Sequence, residues 1–191
     1  MLPELHTTSG HLPPGRYRVN LSEVQARFVA HRDFSQSSTR QLIWDGFRSY
    51  LAAWKVAEDN AGVGRVLKLI WLAGSFISMK LDPDDLDVTP VIDRHALLEA
   101  QGQRGSKALR RLIEHRDSIV ANFRVEPFVL DWVPSTSTLR PNSARSLTRD
   151  YLERRGSLDD WWQRVRPPGP KLAPLLEDAP PRRGYLEVER P

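Results

Sequence analysis

The sequence predicts an α/β (α+β) fold with an extended proline-rich C-terminal segment. Three observations carry this prediction. Apolar residues recur at four-and-three spacing in one stretch, Ile43, Phe47, Leu51 and Trp54, and run together at strand length in another, residues 66–73. Such helix-period and strand-period segments alternate along the chain, which is the pattern of a sheet covered by helices. Six of the 15 Pro lie between residues 167 and 181, a composition of low regular structure. The 191 residues, 40% hydrophobic and 27% charged, suit a single domain over 1–191. Residues 1–20 form an N-terminal arm and residues 166–191 the proline-rich extension. Cys is absent, which excludes a disulfide scaffold, a thiolate metal site and a Cys nucleophile. No stretch approaches 18 apolar residues and no leader is legible, so we expect a cytoplasmic protein without a membrane partner.

The arm is turn-rich, with Thr7-Thr8-Ser9-Gly10 and Pro13-Pro14-Gly15. Ser22 and Gln25 read as the capping box of a short helix carrying Val24, Phe28 and Val29. A longer helix starts near Ser37-Ser38-Thr39 and stops at Asn60 and Gly62. Gly62-Val63-Gly64 precedes a strand instead of following one, so it is no dinucleotide loop. Residues 66–73 are a mostly buried strand ending at Gly74-Ser75. Residues 85–88 are a short alternating strand. Asp93 caps a helix through His95 to Gln101, and Ser106 caps another carrying Leu109, Leu112 and Ile113. Residues 123–133 read as one strand, residues 135–143 as loop, and residues 144–154 and 158–165 as helical stretches. Residues 184–189 alternate and add a last strand.

The chemistry gathers around Asp85 and Asp87. One residue apart on a strand, they point to one face while Leu86 and Val88 point to the core. Paired carboxylates repel unless a cation lies between them, and Mg²⁺ prefers such oxygen ligands. Asp131, alone among Val129, Leu130, Trp132 and Val133, is the expected third carboxylate, because an unpaired charge in so apolar a run is costly. Glu126 competes for that place, but standing before Pro127 counts against a mid-strand position. Gly74 and Ser75, at the end of a strand, form a phosphate site if a helix follows, and Ser78 and Lys80 are near enough to join it. Only five of the 28 basic residues are Lys, and Arg suits bidentate phosphate contacts. The basic run Arg104, Lys107, Arg110, Arg111 and Arg116 is either a solvated helix face or a track for a polyanionic acceptor.

Leu72-Ala73-Gly74-Ser75, nine residues, then Asp85-Leu86-Asp87-Val88 resembles the signature of the polymerase-beta-type nucleotidyltransferase superfamily. The stretch from Gly74 to Asp87 is also similar to a family of small bacterial nucleotidyltransferase-like proteins of unassigned function. Leu12-Pro13-Pro14-Gly15 and Arg183-Gly184-Tyr185-Leu186 extend that similarity to the chain ends. The departure is at Ser78 and Met79, where minimal members of the superfamily carry Arg and Gly. The resemblance implies a mixed sheet flanked by helices and a Mg²⁺- or Mn²⁺-dependent enzyme. It would move a nucleoside monophosphate from an NTP to a hydroxyl of RNA, protein or a small molecule. In that reading Asp85, Asp87 and Asp131 bind the metals and carry catalysis, and Gly74, Ser75, Ser78 and Lys80 hold the triphosphate. The alternative is a weakly active or inactive binding module of the same fold, acting through a protein partner as an antitoxin or regulatory subunit.

Overall fold

The computed structural model describes residues 2–134, 146–166 and 175–189, and within them a mixed α/β architecture of six helices and six strands. The strands are β1 (Gly15–Val19), β2 (Leu67–Ala73), β3 (Leu86–Asp93), β4 (Val125–Pro127), β5 (Leu130–Trp132) and β6 (Gly184–Glu189). The helices are α1 (Leu21–Phe28), α2 (Arg40–Ala61), α3 (Arg94–Glu99), α4 (Ser106–Glu114), α5 (Arg116–Phe123) and α6 (Ser146–Gln163). None of them is long and apolar enough to cross a membrane. The expected loop at 135–143, the helix start at Ala144, and Pro167, Pro168, Pro170 and Pro174 lie outside the described residues.

The sheet order is β1-β6-β2-β3-β4, with β5 also pairing β3. β2 runs antiparallel to β3 and β6, while β1–β6, β3–β4 and β3–β5 are parallel. The two-residue strand period sorts side chains to two apolar layers. Leu72, Leu86, Val88, Ile92, Leu186 and Val188 face a core built with α1, α2, α4 and α5. Trp71, Ala73, Val91, Leu130 and Tyr185 face Leu158 and Trp162 of α6. The buried Trp162 Nε1 donates to Thr89 Oγ1 at 2.8 Å, so the α6 layer closes without an orphaned indole there.

Several elements depart from their expected bounds, each for a local reason. The capping box of α1 is Asn20 with Glu23, two residues earlier than Ser22 and Gln25, because Asn20 supplies both the side-chain acceptor and the extended backbone a cap needs. Gly62, at φ 63°, ends α2 as expected. Asp93 caps α3 by accepting from the N–H groups of His95 and Ala96. Ser106 is inside α4, its hydroxyl bonded to Gln103 O. The stretch 123–133 is not one strand. Phe123 closes α5, Arg124 turns in the left-handed region at φ 54°, and two three-residue strands follow. Residues 146–163 form one helix through Gly156, where nothing lies within 4 Å of an added Cβ. The last strand, β6, is not an edge: it enters between β1 and β2.

Candidate metal centre

The register of the sheet builds the site. β2 ends where Ala73 pairs with Asp87 of β3, and Asp87 pairs in turn with Glu126 of β4. Asp85, two residues before Asp87, shares its face. Carboxylate oxygens of Asp85, Asp87 and Glu126 all lie within 4.8 Å of one another, each residue half-buried. Burial drives the Asp87 carboxyl up to about 7, and the neighbouring charges of Asp85 and Glu126 and a hydrogen bond with Glu126 push the same way, with Arg183 opposing. Arg116 at the start of α5 grips Glu126 and stacks on Phe128, 4.6 Å from its ring centre.

The third carboxylate is therefore Glu126, and the expectation for Asp131 is corrected. β4 and β5 keep one register against β3, with Glu126 opposite Asp87 and Asp131 opposite Ile92. Asp131 is thus five residues, or about 16 Å, along the sheet from Asp87, and the odd separation turns it to the other face. Its charge is met by Arg94 Nη1 at 3.0 Å, where both side chains are nearly half exposed. Pro127 does not keep Glu126 out of the sheet, because Pro is excluded from central strands and accepted on edges, and β4 is an edge strand. The alternation Val125-Glu126-Pro127, apolar on both sides of the acid, was the available signal. Glu126→Gln is expected to weaken Mn²⁺ binding at least about ten-fold by electron paramagnetic resonance titration, and Asp131→Asn to leave it within about two-fold. The reverse order would return the third ligand to Asp131.

Gly74 is fitted to the cluster in two ways. Its backbone, φ 75° and ψ −158°, belongs to glycine. A Cβ built there would stand 1.7 Å from Asp87 Oδ2, so the carboxylate occupies the space a side chain would take. Gly74→Ala is expected to cost roughly 2–4 kcal/mol, combining strained backbone and overlap. Gly62→Ala, at φ 63° with open space around it, should cost about 1–2 kcal/mol. Urea unfolding of both variants checks this, and equal losses would remove the special place of Gly74.

The Gly74–Lys80 loop differs from expectation. Ser75 opens a three-residue 3₁₀ turn, Ser75–Ile77, in place of a helix. Its hydroxyl donates no hydrogen bond to the described residues, and the residue is half-buried next in sequence to Gly74. Ser78 is turned inward at 4% exposure, donating to Ser75 O at 2.6 Å and accepting from Lys80 N, so its hydroxyl braces the loop and does not face a phosphate. Lys80 Nζ pairs with Asp84 at 2.9 Å. Asp82 accepts from Ser38 N at 2.7 Å and from the Ser37 and Ser38 hydroxyls, contacts that hold its carboxyl below the usual range. The acidic run thus divides: Asp82 ties the loop to the start of α2, Asp84 pairs with Lys80, and Asp85 and Asp87 face the site. Of the basic run, Arg116 belongs to the centre, Arg110 pairs with Glu114, and Arg104, Lys107 and Arg111 are exposed.

A residue without a sequence signature holds the loop in place. Arg40, 1% exposed at the start of α2, spends its five N–H donors on five carbonyls. Nη1 donates to Phe28 O and Phe76 O, both at 2.8 Å, Nη2 to Ser78 O and Lys80 O, and Nε to Leu81 O. The guanidinium lies over Phe34, 3.7 Å from the ring centre. Burial lowers its pKa to about 10, against the opposing charge of Asp82, so it remains a cation at neutral pH. An Arg directly after Ser-Ser-Thr looks like an ordinary first-turn residue, and no local pattern marks it as buried.

No curated protein and no solved structure matches the chain. Residues 3–189 match a family described as "Family of unknown function (DUF6932)". With nearly its whole length covered, the chain belongs to that family.

Proposed function

We propose that the protein is a divalent-metal-dependent nucleotidyltransferase that moves a nucleoside monophosphate from an NTP to a hydroxyl. The observation that carries this reading is the convergence of Asp85, Asp87 and Glu126 beside the Gly74-Ser75 turn. The parts of the resembled signature, the Gly-Ser strand end, the Asp-x-Asp strand and a later acidic strand, fall on three adjacent strands. The residues fit a Mg²⁺ or Mn²⁺ ion: all donors are hard oxygens, and Asp87 retains a proton to about pH 7 that a cation would displace. Asp85, Asp87 and Glu126 would hold the ion, which supplies Lewis-acid stabilisation of charge on the transferring phosphoryl group when bound. Ser75 contributes its hydroxyl to the phosphates at the mouth of the turn. Glu126, on the edge strand, accepts the proton of the attacking hydroxyl, with Arg116 fixing its orientation. The NTP and the acceptor, RNA, protein or small molecule, are approached through the same mouth.

A second reading, a non-catalytic module acting through a protein partner, draws on one observation. Arg116 on Glu126 and Arg183 near Asp87 already offset part of the carboxylate charge. One experiment separates the two. Each α-labelled NTP is incubated with the protein, Mg²⁺ or Mn²⁺ and a cell lysate, and the products are treated with ribonuclease or protease. Label in RNA, protein or a small product supports transfer. No label in any fraction, with Mn²⁺ bound, favours the module.

A further inference from the structure

Arg183 stands just ahead of β6. The register of β6 against β2, with Leu72 opposite Leu186, carries it to the end of the sheet where β2 turns at Gly74 and Ser75. Tyr185 lies in the α6 layer, so by the strand period Arg183 points to that face too, the face of Asp85 and Asp87. Its stem is fixed: Nε donates to Trp162 O at 3.0 Å and its backbone N–H to Gln163 O at 3.1 Å. The next N–H, of Gly184, donates to Leu12 O at 2.9 Å, and a Cβ on Gly184 would meet Pro13 O at 2.4 Å. The N-terminal arm is therefore pressed against β6 at this point. His11 comes with it, bridged to Ser78 of the Gly74–Lys80 loop.

Among the described residues, polar atoms of two side chains here have no hydrogen-bond partner. The Nη groups of Arg183 donate no hydrogen bond to the described residues, and His11 Nδ1 is buried with none among them. A buried polar atom without a partner, as at His11 Nδ1, calls for an explanation, and a ligand is one. The charges are near enough to act on each other. Burial lowers the proton affinity of His11 and Arg183 lowers it further; burial also lowers that of the Arg183 guanidinium, with the charge of Asp87 opposing the fall and Arg166 adding to it. The Gly74–Lys80 loop leaves this role open, because Ser78 faces inward and Lys80 is paired with Asp84. An anionic substrate approaching three carboxylates needs a cation to receive it.

We propose that Arg183, aided by His11, is the anion subsite of this centre and receives the phosphate oxygens of the nucleoside triphosphate, an inference that rests on the nucleotidyl-transfer reading. The probes are inorganic tripolyphosphate and Mn²⁺, each titrated into the full chain by calorimetry. Arg183→Met is expected to weaken tripolyphosphate binding about 10- to 100-fold. Mn²⁺ binding without phosphate should stay the same or tighten, because a repelling cation has gone. Opposite signs for the two probes are something a folding defect would not produce. His11→Ala lies on the arm and leaves the Arg183–Trp162 bond in place. It should lose affinity for tripolyphosphate several-fold at unchanged Mn²⁺ affinity. Wild-type tripolyphosphate affinity in both variants, or no tripolyphosphate binding by the wild-type protein, overturns the subsite. Failure of the reaction reads differently: Arg183-dependent tripolyphosphate binding with no label transferred from any NTP keeps the subsite and removes the transferase.

Discussion

On the proposed nucleotidyl-transfer reading, Asp87→Asn is expected to reduce that activity by about a thousand-fold or more, and to stabilise the metal-free protein above pH 7. The first effect follows from losing the carboxylate that pairs with both Ala73 and Glu126 strands at the centre of the cluster, since metal-assisted charge stabilisation is worth several kcal/mol. The second follows from linkage. The folded protein holds the Asp87 proton to about pH 7, whereas an unfolded Asp releases it near pH 3.9. The contribution of this group to stability is full below about pH 4, falls as pH rises towards 7, and is flat above. Asn has no proton to lose, so the variant lacks that decline, a difference on the order of a few kcal/mol at most. Melting temperature against pH from 4 to 8 is the measurement, and parallel profiles for the two proteins would refute the account. Added Mg²⁺ or Mn²⁺ competes with the same proton. It should raise the wild-type Tm above pH 7, do so less below it, and leave Asp87→Asn nearly unmoved.

Arg40→Met is expected to destabilise the protein by about 3–5 kcal/mol, the range for removing one side of a buried charged arrangement. Five carbonyls from Phe28, Phe76, Ser78, Lys80 and Leu81 would lose their donor together. Arg40→Lys should recover little, because an ammonium offers three donors from a point and cannot match a planar fork or lie flat on Phe34. Chemical denaturation of both variants tests the claim, and a Lys variant as stable as the wild type would dispose of the fork argument. Because three of the clamped carbonyls, those of Phe76, Ser78 and Lys80, belong to the loop that carries Ser75, tripolyphosphate affinity should fall in both variants even at temperatures where they remain folded.

Much of the architecture was decided locally and could be read from the chain. The period of Ile43, Phe47, Leu51 and Trp54 set α2, Gly62 set its end, and the apolar run before Gly74 set β2. The spacing of Asp85 and Asp87 placed two carboxylates on one face, because a strand period of two is a property of the backbone itself. Which acid joins them is not local. Glu126 and Asp131 sit on consecutive short strands, and only the register of both against β3 puts one level with Asp87 and sends the other five residues away. Register arises from packing the α6 layer and the opposite core at once, and no window of sequence contains that information. The same holds for Arg40, whose five partners span residues 28 to 81. It holds for Arg183 too, brought to the site because β6 enters between β1 and β2. Helix α2 with its end at Gly62, the strand period and the shared face of the two aspartates are legible in the chain, since they follow from short-range sterics and hydrophobic pattern. The third carboxylate, the loop clamp and the guanidinium at the mouth were decided by tertiary structure, because each depends on long-range pairings that form only when the whole sheet is assembled.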